Sequence, residues 1–135
     1  MNYVQSNTKT GAFQVASASD LTGKEGYLVK MTDASGTPKV DVPAAQTDFA
    51  QYVVANVLSS TLVEVIPLTA GTQVRLSVSG TAIVSGSKLV GYGGTAAGLA
   101  FPWASGAAFI SAVAEESAGT ALGFVKARPV LSYYT

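Results

Sequence analysis

Chemistry in this sequence is left to carboxylates, lysines, arginines, tyrosines and hydroxyls, because it contains neither histidine nor cysteine. That removes the commonest general base, the Ser-His arrangement of acyl transfer, thiolate nucleophiles, disulfides and sulfur-based zinc sites. The one adjacent acidic pair is Glu115-Glu116. Neighbours on a strand point to opposite faces, so the pair shares a site only if the chain turns there, and it reads as a solvated loop. Asp33, Asp41 and Asp48 lack the alternate spacing and terminal glutamate of a calcium loop. Gly91-Tyr92-Gly93-Gly94-Thr95-Ala96 has the written form of a dinucleotide-binding turn. Pro102 and the surrounding Gly/Ala run leave no helix whose start would receive a pyrophosphate, so a glycine-rich turn is expected. No cofactor and no metal are expected, and the chain is not expected to be an enzyme. A small barrel enzyme using Glu115 or Glu116 with a lysine is the least favoured alternative.

Binding through aromatic rings is the other chemistry on offer. Phe101 and Trp103 lie close in sequence, and Tyr133-Tyr134 come near the end. Platforms for single-stranded nucleic acid combine such rings with a basic groove, and eight basic against eight acidic residues, net charge zero, supply none. No nucleic acid and no membrane partner is therefore expected. No stretch approaches the roughly 18 apolar residues of a membrane-spanning helix, and Met1-Asn2-Tyr3-Val4-Gln5 is no secretory leader, so the chain is expected to be made in the cytosol. Carbohydrate binding by the rings stays open. With charged residues at only 12% and hydrophobic residues at 48%, the surface is poor in charge, which suits assembly.

The elements that would position these residues are strands. Val and Thr are abundant, and Gly, Ser and Pro punctuate them, as in an all-β domain. Val74-Arg75-Leu76-Ser77-Val78-Ser79 alternates with period two, one side apolar and one wet. Leu62 to Ile66 is almost wholly apolar, and Pro67 to Thr72 should make a hairpin or tight corner before Val74. Further strands are expected at Gly26–Met31, Lys39–Val42, Gln51–Val57, Lys88–Val90 and Leu122–Val125, with turn-rich separators. Asp48 could instead cap a helix over Phe49 to Val57, although Val53, Val54 and Val57 favour strand. Ser111 to Ser117 could form one helical turn. Gly91 to Ala108 reads as an ordered loop around Leu99, Phe101 and Trp103, which are candidate subunit or partner contacts. Residues 1–22 hold only scattered apolar positions and read as an extended N-terminal arm, with a strand possible near Phe13-Gln14-Val15. Residues 23–135 then form a single β domain, a compact small barrel or sandwich.

The order of short features resembles a known family. These are Gly26-Tyr27-Leu28-Val29, Val53-Val54-Ala55-Asn56-Val57, Val63-Glu64-Val65-Ile66-Pro67-Leu68, Ser85-Gly86-Ser87-Lys88-Leu89-Val90, and the run from Ala112 to Val125. Together they resemble the capsid cement or decoration proteins of tailed bacteriophages, over about Leu21 to Tyr134. The resemblance implies a β-rich protein on the outside of the expanded head, often a homotrimer, that holds neighbouring major capsid protein subunits together. It implies no catalytic residue. On that reading the arm could add a strand to the major capsid protein through Tyr3, Val4, Phe13 and Val15. The alternative is a phage fibre or adhesin-type module that binds glycans through Phe101, Trp103 or the terminal tyrosines.

Overall fold

In the computed structural model the structure describes residues 11–34, 36–69, 71–93, 96–119 and 123–134. All regular elements among them are strands: β1 Phe13–Ser17, β2 Leu28–Ala34, β3 Thr37–Asp41, β4 Tyr52–Ser59, β5 Leu62–Pro67, β6 Val74–Ser77, β7 Lys88–Tyr92, β8 Ala97–Pro102, β9 Ala108–Ala114 and β10 Phe124–Tyr134. The first five close a barrel in the order β1-β3-β2-β4-β5, and the last five form a sheet in the order β6-β10-β9-β7-β8. The all-β expectation holds, as barrel and sheet together.

Strand alternation distributes the apolar side chains among three clusters. Side chains on a strand point to opposite faces in turn, so adjacent residues enter different cores. Val29 and Val54 fill the barrel interior with Leu21, Val40, Val63 and Val65. Their neighbours Leu28 and Val53 face the other way, into a cluster with Leu76, Val78, Leu89, Ala112 and Val125 of the sheet. That second cluster joins barrel to sheet. Leu89 and Val90 repeat the pattern, with Val90 joining Ala108 and Ile110 on the sheet's far face.

Polar groups fasten the same junction. The buried Ser111 hydroxyl donates to the Ala50 carbonyl at 2.9 Å, and the Ser77 hydroxyl donates to the Glu25 carbonyl at 2.9 Å. Gly98 has a left-handed backbone, φ 89°, and a side chain there would stand 2.8 Å from the Tyr27 ring, so only glycine allows β8 this close to the barrel.

The link from Pro67 to Thr72 is a corner between barrel and sheet. β5 pairs with β1 and β4, whereas β6 pairs with β10. Asp48 does not start a helix: Tyr52–Ser59 is a strand, in keeping with its β-branched residues. Gly91 to Ala108, read as a loop, instead holds the end of β7 and all of β8 as a pair, and Ser111 to Ala114 belongs to β9. β10 runs to Tyr134, well past the expected Val125.

Of the stretch read as an arm, Tyr3 and Val4 lie outside the described residues. Phe13 and Val15 lie in β1, which pairs antiparallel with β5 and parallel with β3. With Leu21 fully buried, residues 13–21 belong to the barrel.

Candidate functional site

The residues singled out in sequence fall in two separate places. Phe13 and Val15 pack, half-buried, on the barrel core, and Phe13 meets Tyr52 edge to face at 5.9 Å. Phe101 and Trp103 cover Val90, Ala108 and Ile110 on the outer face of the sheet. Leu99 lies two residues before Phe101 on β8 and is half-buried. Leu99, Phe101 and Trp103 are thus close neighbours on one edge strand and its exit.

Around that edge the rings form two groups. Trp103 donates its indole N–H to the Gly106 carbonyl at 3.0 Å and lies 5.0 Å from the Tyr134 ring, over which Lys88 places its ammonium at 5.7 Å. Phe49 stacks on Phe109 at 4.9 Å and touches Tyr133 at 5.6 Å. Tyr133 and Tyr134 point to opposite sides of β10, which is why consecutive tyrosines serve different groups. Phe49, Tyr133 and Tyr134 are exposed. Beside Phe101 a recess of about 500 Å³ opens between β7, β8 and the loop at Gln46.

A larger cleft, about 560 Å³, lies between barrel and sheet. One wall is Val53, Val54 and Ala55 of β4 with Ile66 and Pro67 of β5, and the other is Val74 and Arg75 of β6 with Phe124 of β10. Glu25 and Gln73 add polarity to its rim. Phe124 is half exposed and carries the Arg75 guanidinium 5.5 Å from its ring centre. The cleft floor is tight at Gly26, where a side chain would collide with Phe124 and Ser77. Sequence reading missed this cleft. Arg75 appeared only as the wet position of an alternating strand, and nothing local showed that β4 would lie opposite.

The adjacent acidic pair and several aspartates are occupied structurally. Glu115 accepts from Arg128, with a 2.7 Å ion pair, and from the Gln73 amide at 2.7 Å. Those two hydrogen bonds, Arg128 first, hold its carboxyl below the ordinary value. Glu116 accepts from the Lys126 backbone N–H at 3.0 Å. The pair lies just beyond β9, and each carboxylate has its own partner. Asp20 accepts from the Thr22 hydroxyl and amide, which lower its pKa. Among the described residues no three acidic side chains gather as a metal site would require. No helix there is long and apolar enough to cross a membrane.

Comparison with solved structures shows a similarity of fold. No protein-family model matches the chain, and no curated protein matches it. Among solved structures, the crystal structure of the N base of head fiber gp8.5 of bacteriophage phi29 superposes with a TM-score of 0.65. Identity is 18%, and the match covers 92% of this chain and 97% of that one. The architecture of barrel plus sheet is therefore shared almost end to end.

Proposed function

We propose that this chain is a structural protein of a phage head, exposed on the outside of the virion and made in the host cytoplasm. The observation that carries the reading is the near-complete match of fold to a base domain of a phage head fiber. The family resemblance read from the sequence points to the same particle. A charge-poor surface with exposed Phe49, Val84, Phe124, Val130 and Tyr133 suits contact with partner proteins. Acting by adhesion, the protein needs no catalytic group.

Within that role we favour cement: the folded body bridges major capsid protein subunits on the expanded head, and many weak contacts add up over a symmetric shell. The second reading, favoured by the head-fiber base among solved structures, is a module that anchors a fibre to the head and leaves the shell's strength unchanged. Self-association as a trimer, implied by the family resemblance, goes with either.

One experiment separates these readings. Purified protein is added to expanded shells lacking it, and both binding and the shells' thermal disruption are followed. Stoichiometric binding with a raised disruption temperature supports cement. Binding without that rise supports the fibre base. Failure to bind overturns both, and sedimentation equilibrium showing only monomer overturns the trimer.

A further inference from the structure

We propose that the cleft between β4 and β6 binds an extended peptide segment of a partner protein, which joins the free edge of β6 as an added strand. β6 pairs with β10 on one side. On the other, only the stretch around Arg75 is open, because the chain just past the strand bridges to β8 at Val78 and Ala100, and Ser77 is itself bonded. The Ser77 amide donates to the Gly26 carbonyl at 2.9 Å, so Ser77 turns its backbone away from β10. Alternation along the strand then turns the N–H and C=O of Arg75 to that same side, into the cleft. No other backbone group among the described residues meets them there. A strand edge left open beside an apolar wall is the arrangement used in strand addition, where backbone hydrogen bonds give affinity and flanking pockets read alternate side chains.

The cleft also states what the segment should carry. Val53, Ile66 and Phe124 offer an apolar seat for one side chain. The Arg75 guanidinium rests on the Phe124 ring and has no carboxylate partner among the described residues. A single acidic side chain beside the apolar one would complete it. Glu25 on the rim disfavours a run of acids. Ser77 is already bonded to Gly26, so the added strand is short and centred on Arg75.

Peptide binding at this cleft stands apart from the head-associated role, since it can be measured on the free protein without any shell. The probe is the capped hexapeptide acetyl-Thr-Val-Asp-Val-Thr-Val-amide, titrated into the isotope-labelled full chain. Shifts at the amides of Val74, Arg75, Ala55 and Phe124 are expected, with exchange of the Arg75 amide slowed by about tenfold or more at saturation. Arg75→Glu, a change at an exposed position, should weaken binding about tenfold, and replacing the peptide's Asp with Lys should restore it. A peptide N-methylated along its backbone should not bind. Unperturbed amides at millimolar peptide overturn the proposal. Equal binding of the N-methylated peptide shows an apolar pocket only and overturns strand addition. Protection of the Arg75 amide in concentrated protein alone shows a second copy as the occupant and also overturns it.

Discussion

Lys30 holds its ammonium 3.0 Å from Asp48, whose same carboxylate oxygen also accepts the backbone N–H groups of Ala44 at 2.7 Å and Ala45 at 3.2 Å. The loop so shaped reaches the sheet: the Gln46 amide donates to the Ser105 and Ala107 carbonyls, and the Gln46 carbonyl accepts from the Phe109 amide. Partial burial pushes the Asp48 pKa up, but the Lys30 and backbone hydrogen bonds outweigh it and leave the value below 3.8. A lowered folded pKa means that this stabilisation is complete above 3.8 and is lost as pH falls through the folded value. Asp48→Asn should cost about 1–3 kcal/mol at neutral pH. In urea titrations its midpoint should fall less than the parent's on acidification below about pH 4.

Leu28 sits on the barrel but is buried against the sheet. Leu28→Ala should destabilise by about 2–5 kcal/mol. Because that cluster spans both halves, circular dichroism and Trp103 fluorescence should show one coincident unfolding transition at a lower midpoint. Two separated transitions would show that the barrel and sheet unfold independently.

Two glycines distinguish backbone strain from crowding. Gly86 has φ 93° with open space around it, so Gly86→Ala should cost about 1–2 kcal/mol for conformation alone. Gly98 combines φ 89° with Tyr27, Val42 and the Leu28 carbonyl within 3.2 Å, and Gly98→Ala should cost about 1–3 kcal/mol more. Thermal unfolding of both variants under one condition checks the order.

Gly93 lies directly under the Phe101 ring. Gly93→Ala should displace that ring and disturb its neighbour Trp103, the sole tryptophan of the sequence. A changed emission maximum in the folded variant is the expected signal. An identical spectrum would show that the edge absorbs the added methyl elsewhere.

Glu115→Gln should remove the ion pair with Arg128 while keeping a hydrogen-bond acceptor for Gln73. The pair is solvent-facing, so the variant should stay folded, with a smaller loss of stability than Asp48→Asn. Added salt should narrow its difference from the parent. Urea midpoints at two salt concentrations measure both.

Val74, Arg75 and Leu76 were legible in sequence because one side of β6 is buried and Arg75 is exposed. β9 was hidden for the opposite reason. Six of its seven residues are buried, so no alternation marks Ala108–Ala114, and its alanines are weak strand formers. Pro129 obscured the length of β10: a proline argues against a central strand, yet here it lies beyond Ala127, where pairing with β6 has ended. The irregularity between Pro129 and Ser132 holds Leu131 at φ 50°, which no residue type announced. The aromatic neighbours on β8 were found from their types, but the cleft depends on β4 meeting β6 across the fold.

β1 is laid between β3 in parallel and β5 in antiparallel register, with Phe13 opposite Val65. During translation this segment leaves the ribosome before either neighbour exists. A nascent chain must therefore keep Phe13 and Val15 uncommitted until about fifty further residues have emerged, and ring closure becomes a late, long-range step. Among the described strands, the earliest synthesised is among the last to find its place.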